Sequence, residues 1–394
     1  MNILQIANKA TTPPDGGVLA ILSLLKGYVA NKYNVHLLNM LTYKHNKNIS
    51  IDNAKITGVS INTKISIPKL IFNFLFSSKP YIACRFVSSE YKQKLIEELN
   101  TTDYQIIQFE GLYSLQYVNI ARKYSRAKLV YRPHNIEYLI WQRNVCETKS
   151  ILKKIYFKSL ANRLRKLENK LLNKYDYIIP ISDQDKQTFV ELGNNKPIKT
   201  IPFGLDVDLF ANYKQLPNDN ASLVYIGALD WIPNQQGLIW FINEVLPLIK
   251  KEIPNIQLNV GGRNAPEWFK TKLTETQNVN FCGELEDAYR FMQSSNLMVV
   301  PLFSGSGMRV KIIEGMALRK TIVATDIAAE GIDCQNKKNI FITNQSKSFA
   351  KYIVDLINNP QLCRQVGDNA FSFVNQKFDN KKITQELINF IKKD

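Results

Sequence analysis

Between Leu302 and Leu318 the chain reads LFSGSGMRVKIIEGMAL, setting glycines, two cations and one carboxylate around an expected helix start. Arg309 and Lys311 fall in the first turn, where the positive end of the helix dipole disfavours cations, so an anion is expected between them. The backbone amides of Ser306, Gly307 and Met308 would add donors to that anion, as nests and helix N-termini do for phosphates. Helical periodicity over 308–318 places Val310, Ile313 and Ala317 on an inward stripe, with Lys311 and Glu314 along its edge. A carboxylate bordering a core needs hydrogen-bond donors, and a ribose diol offers two. The chemistry read from the stretch is recognition of a nucleoside diphosphate. A plain Lys311–Glu314 surface pair at i,i+3 is the simpler alternative, and it leaves the glycines without a purpose.

Such a loop needs a strand before it and a sheet around it. Short apolar runs at 3–7, 35–38, 105–109, 128–131, 177–182 and 198–201 alternate with segments of helical period, and the pattern restarts at 222–227, 256–262, 279–283, 297–301, 321–325 and 339–343. Near-continuous apolar strands alternating with helices describe parallel sheets covered on both faces. Two such series predict an α/β chain of two Rossmann-like domains, 1–203 and 222–368, with their parallel sheets facing a central cleft. PFGLDVDLFANYKQLPNDNA supplies a linker over 204–221. Residues 369–394 form a last helix with no strand after it, free to pack back on the first domain.

Ligands of open parallel sheets bind beyond the carboxyl ends of the strands. The loops there hold Gly16 and Gly17 after the first strand, Glu110 after the run at 105–109, and His134, Asn135 and Glu137 after 128–131. Small residues at 16 and 17 let a phosphate or sugar approach backbone, though a flexible turn has the same composition. Glu110 and Glu137 are candidates for acceptor contact or for pairing with a nearby arginine. His36, inside a strand, and His45, in a polar loop, read as structural.

The chain has 394 residues, 45% hydrophobic and 22% charged, as in a soluble globular protein of two domains, and its five scattered cysteines suggest neither a zinc site nor a disulfide framework. No leader or membrane span is apparent, so a cytoplasmic location is expected. The net charge of +17 is divided as +16 over 1–202 and +1 over 203–394. That asymmetry predicts an anionic partner for the first half. Residues 149–174 carry nine Lys and Arg against Glu168 alone, and 67–86 set Phe72, Phe74, Phe76 and Phe86 among Lys69, Lys79 and Arg85, a composition suited to a lipid interface, a lipid acceptor or ordinary packing.

The segments YIGALDWIPNQQG, IQLNVGG, FCGELED and PLFSGSGMRVKIIEGMALRKTIVATDIAAEGI resemble the nucleotide-binding domain of the family 4 retaining glycosyltransferases, which have the GT-B fold. The first half is similar more loosely, through Gly16 and Gly17, PHNIE, the ISDQDK run and the IPFGLD linker. The resemblance implies transfer of a sugar from a nucleotide diphosphate donor to an acceptor hydroxyl at the interdomain cleft, with no metal and no cofactor besides the nucleotide sugar. It implies Glu314 on the ribose and His134 on the donor sugar as a positioning and electrostatic catalytic group, the departing phosphate accepting the acceptor's proton. Two departures stand out. The family's first glutamate, eight residues before Glu314, is Ser306 here, and residues 227–237 lack the usual diphosphate-holding Arg and Lys, for which Arg309 and Lys311 are the nearest substitutes.

The expected function is thus a glycosyltransferase acting on a lipid-linked or cell-envelope glycan, peripheral on an anionic membrane surface. A GT-B sugar-nucleotide epimerase would share the donor site, and a basic nucleic-acid-binding module would account for charge alone, without any recognisable motif.

Overall fold

A computed structural model describes residues 1–13, 15–148, 150–211, 213, 221–305 and 308–393. The chain divides into two compact units, Met1–Gly204 with Asn380–Asp394, and Leu205–Asp379. Each is built on a six-stranded parallel sheet.

The first sheet comprises β1 (Asn2–Ala7), β2 (Asn34–Leu41), β3 (Ala54–Ser60), β4 (Ile106–Glu110), β5 (Lys128–Arg132) and β6 (Tyr177–Ile178), in the order β3-β2-β1-β4-β5-β6. Order reverses beside β1, so the loops after β1 and β4 open at the switch point. β1 and β4 are almost wholly buried, because both faces are covered by helices. The expected strand at 198–201 is instead a single bridge, Ile178 to Ile198. The sixth strand is β3, whose AKITGVS sequence alternates exposed and half-buried residues as an edge strand does.

The second sheet comprises β7 (Ser222–Ile226), β8 (Gln257–Gly261), β9 (Val279–Gly283), β10 (Leu297–Val300), β11 (Thr321–Ala324) and β12 (Phe341–Ile342), ordered β12-β11-β10-β7-β8-β9. All six coincide with expected apolar runs. Here the order reverses between β7 and β10, which places the loop holding Gly305 at the second switch point.

The helices that bear on function are α1 (Gly16–Ala30), α2 (Ile67–Phe76), α3 (Glu137–Glu147), α4 (Ile151–Leu171), α5 (Ala288–Gln293), α6 (Val310–Ala317), α7 (Pro360–Lys377) and α8 (Asn380–Lys392). The single helix expected over 369–394 is two. α7 belongs to the second unit, and the chain then re-enters the first, where α8 buries Ile383, Leu387, Ile388 and Ile391 against α1. Gly27 marks the contact: a Cβ there would stand 2.0 Å from Thr384 Oγ1 and 2.6 Å from the Asn380 carbonyl oxygen. The expected linker is partly structured too, since Leu205 N–H donates to Phe378 O and Val207–Ala211 is helical within the second unit.

Candidate active site

In the second unit, β10 runs into the loop from Pro301 to Arg309. Ser306 and Gly307 lie outside the described residues; Gly305 does not, and its φ of +115° is a backbone setting natural to glycine. A Cβ there would also strike the Trp231 ring at 2.7 Å. Arg309 is buried with its guanidinium 5.9 Å from the centre of that ring, and Met308 is half-buried beside it. α6 begins at Val310 rather than 308, and its buried residues are Ile312, Ile313, Gly315, Met316 and Ala317. Ile313 and Ala317 are buried as expected, but Val310 is only partly covered, which turns the buried face from the expected stripe by up to about a quarter of a turn.

Lys311 and Glu314 diverge rather than pair. The Lys311 amine reaches the end of β7, 3.0 Å from Ile226 O, 3.3 Å from Asn234 Oδ1 and 3.4 Å from Tyr225 Oη. It also stands 4.5 Å above the Tyr225 ring. Burial, reinforced by Arg309, lowers its pKa to about 7. The Glu314 carboxylate accepts from Tyr289 Oη at 3.0 Å, and burial pushes its pKa up to about 7 despite that bond. Tyr289, from α5, is packed edge-on by Phe210 and Tyr213, with centroids 4.9 and 5.8 Å away. Sequence reasoning missed Tyr289 and Trp231; neither has a local signal tying it to a residue dozens of positions away.

In the first unit, Gly16 and Gly17 open α1 after β1. Asp15 caps the helix by accepting from Val18 N at 2.8 Å, and is gripped by Lys9 Nζ at 2.9 Å and His45 Nε2 at 3.0 Å. A Cβ on Gly17 would stand 2.8 Å from Lys9 Nζ, whereas the space at Gly16 is open. His45 thus holds the loop. His36 is buried between Tyr104 Oη and Thr57 Oγ1, each at 2.9 Å.

His134 follows β5, and its Nε2 lies 2.5 Å from Glu110 Oε2. Glu110 has no exposed surface. Its other oxygen accepts from Gln5 Nε2 at 2.6 Å and Gln108 Nε2 at 2.5 Å, and the equally buried Arg132 is 3.9 Å away. Burial opposes ionisation, but Arg132 and His134 outweigh it and hold the carboxyl below its ordinary pKa. A fully covered carboxylate has no face left for an acceptor, so Glu110 orients His134. Glu137, half-buried at the start of α3, accepts from Tyr113 Oη at 2.8 Å, and burial raises its pKa. Beneath it, Glu168 of α4 accepts from the Glu137 and Tyr138 amides at 3.0 and 3.2 Å, with its pKa raised to about 8 by burial. The lone acid of the basic segment is therefore the cap of α3.

Two Rossmann-like units, each with its polar cluster beyond the carboxyl ends of a parallel sheet, define the GT-B class of sugar-transferring enzymes. The family profile described as Glycosyltransferase Family 4 matches residues 14–209, and that described as Glycosyl transferases group 1 matches 220–359. The chain belongs to this glycosyltransferase family. It is 25% identical over 406 residues to an uncharacterised 44.6 kDa protein in the cps region of Klebsiella pneumoniae, covering 98% of both chains. It is 26% identical over 215 residues to the capsular polysaccharide biosynthesis glycosyltransferase CapM of Staphylococcus aureus, covering 52% of this chain and 55% of the relative. Among solved structures it shares the fold of sucrose-phosphate synthase from Thermosynechococcus elongatus, with a TM-score of 0.72 and 16% identity over 100% of this chain and 98% of the other. Anabaena HepE in complex with UDP matches with a TM-score of 0.68 and 17% identity over the whole of both chains. Among the described residues, no helix is long and apolar enough to cross a membrane.

Proposed function

We propose that this glycosyltransferase moves a hexosyl unit from a nucleoside diphosphate sugar to a hydroxyl of a lipid-linked or cell-envelope glycan, with retention and without a bound metal. The observation that carries the reading is the placement of Arg309, Lys311 and Glu314 at and just after the start of α6, two cations for a diphosphate and one carboxylate for a ribose diol, beside the switch point of the second sheet. The Anabaena neighbour bound to UDP supports a nucleotide donor, and the capsular relative supports polysaccharide assembly; a place in the cytoplasm, at the inner face of a membrane, is part of this proposal.

In the reaction, the acceptor oxygen bonds to the anomeric carbon on the face from which the diphosphate departs, and the acceptor's proton passes to the departing phosphate oxygen. Arg309, Lys311 and the amides of Ser306, Gly307 and Met308 take up the charge that develops as the C–O bond breaks. No carboxylate nucleophile is needed. His134, held by Glu110, positions and polarises, while Gly16 and Gly17 leave backbone open to the sugar; Glu137 faces the acceptor.

A panel of nucleoside diphosphates tests the donor half of this reading. The matching nucleotide, at a hundred times its dissociation constant, should stabilise the protein by about 2.7 kcal/mol. Absence of any thermal shift with every common base would refute it.

A further inference from the structure

The largest unexplained feature of the first unit is an apolar helix that packs almost nothing. α2, IPKLIFNFLF, has no buried residue, and Phe72 and Phe76 are 66% and 74% exposed. The helix is nevertheless anchored. Arg163 of α4 donates to Asn73 O at 3.0 Å and Phe74 O at 2.7 Å, and Phe74 packs on Tyr156 with centroids 5.8 Å apart. α4 adds exposed apolar residues of its own, Ile151, Leu152 and Ile155. Lys153, Lys154 and Lys158 are exposed in the same turns. Lys170, also exposed, lies about 25 Å further along the axis, so the four lysines do not form one patch.

Beside α2, at the carboxyl end of β3, is a cavity of about 370 Å³ lined by Lys64, Lys69, Arg85, Asn62, Ser66 and Tyr81, with Ile65 and Val87 exposed at its rim. No acidic residue lines it. The Nε of Arg85 is buried without a partner, while Nη1 is fixed on Thr63 O at 2.6 Å. Ser66 precedes α2 without capping it, its side chain making no bond to the first turn. Three cations, an unanswered buried donor and an uncapped helix start all point to an anion of phosphate chemistry. Phe86, next to Arg85, stacks on Tyr113 at 4.8 Å, and Tyr113 donates to Glu137, which links the cavity to the loop that carries His134.

We propose that this cavity binds the phosphate or diphosphate of a lipid-linked acceptor while α2 and the first turns of α4 lie in the bilayer surface. Apolar side chains ringed by cations suit an anionic lipid surface, and a cavity of that size at the base of the apolar helix receives the headgroup rather than the tail. The inference rests on the acceptor side of the function proposed above and is independent of the donor site.

The test uses the full chain and phosphatidylcholine vesicles doped either with a polyprenyl diphosphate or, at matched charge, with phosphatidylglycerol. Binding to the polyprenyl diphosphate vesicles should be about tenfold tighter, one further charge-assisted contact or more. Lys64→Gln/Lys69→Gln/Arg85→Gln should abolish that preference, and the Lys64→Gln/Lys69→Gln pair should reduce it should the Arg85 change unfold the segment. Phe72→Ser/Phe76→Ser should weaken binding to both vesicles. Equal affinity for the two vesicles, or an unchanged preference in the triple variant, would overturn the proposal. So would full competition by free inorganic diphosphate, which would mark a soluble-phosphate site, or self-association lost in the phenylalanine variant, which would assign the face to a second copy. Nucleotide binding, measured by calorimetry on the same samples, should persist in every variant; its absence from the unaltered protein would refute the donor reading and leave the vesicle result standing.

Discussion

The amine of Lys311 ends 3.0 Å from the carbonyl oxygen of Ile226, the last residue of β7, although 85 positions separate them in sequence. A cation is thereby delivered to the loop after the first strand of the second sheet, where residues 227–237 contain no basic side chain. The donor is a helix that begins after β10, the neighbour of β7 in the sheet. Adjacent parallel strands open their loops on one edge, so either can supply a charge to the same point.

Lys311→Gln should therefore weaken a nucleoside diphosphate and leave the bare nucleoside unaffected. A buried charge-assisted contact is worth about 1.5–3 kcal/mol, a loss of about ten- to a hundredfold in affinity. Arg309→Ala/Lys311→Ala should reduce turnover more than binding, because the charge on the diphosphate grows as its bond breaks. Near-normal turnover in the double variant would show that another group holds the phosphates.

The pH dependence of nucleotide affinity follows from the same pair. Burial disfavours both charged forms, bringing Lys311 down and Glu314 up, each to about 7. A bound diphosphate favours protonated Lys311, so affinity should fall as pH rises above 7; a ribose diol favours ionised Glu314, so affinity should fall as pH drops below 7. Calorimetry across pH 5–9 should give a maximum near neutrality. Glu314→Gln should flatten the acid limb beyond what phosphate protonation causes, and Tyr289→Phe, which removes a hydrogen bond that favours the ionised carboxyl, should move the acid limb to higher pH. A flat profile in the unaltered protein would remove both groups from the site.

Legibility in the sequence depended on whether a position was decided by local pattern or by a distant partner. The runs at 222–227 and 297–301 were readable because both faces of those strands are covered, which forces continuous apolar sequence. AKITGVS of β3 was not, since an edge strand buries little and its composition resembles a loop. IKTI at 198–201 has the composition of a strand, yet makes only one bridge, because β6 ahead of it is two residues long. Among the candidate site residues, helical phase placed Glu314 at the edge of the core, and it lies there half-buried against Tyr289. Glu110 was not legible, because the end of a strand does not reveal which of its side chains turns inward, and here Arg132, the last residue of β5, draws it into the core.

The return of the chain to the first unit makes α8 part of that unit's stability. Gly27→Ala should force α8 away from α1, since the new methyl would overlap Thr384 and the Asn380 carbonyl. Overpacking of this kind costs about 1–3 kcal/mol. Denaturant unfolding should show that loss, with nucleotide binding retained because the second unit does not include the contact. An unaltered midpoint would mean that α8 docks too loosely to matter.

Glu110 and His134 can be separated because one is held by the core and the other is only held by Glu110. Glu110 neutralises Arg132, and both are fully buried. Glu110→Gln leaves that guanidinium without a counter-charge, and breaking a buried pair from one side costs about 3–5 kcal/mol. His134→Gln leaves the Glu110–Arg132 pair intact and keeps an amide N–H beside Glu110 Oε2, so its stability should stay within about 1 kcal/mol of the unaltered protein. Its kcat should nevertheless fall by about a hundredfold, the scale of a positioned polar group lost from a transition state, with donor KM little changed. Arg132→Met paired with Glu110→Gln removes both charges, and should recover most of the stability lost in Glu110→Gln alone while leaving kcat low, because His134 is then no longer fixed by a carboxylate. Equal losses of stability in the two single variants would make His134 a core histidine. Recovery of full activity in the double variant would show that Glu110 matters only as the partner of Arg132.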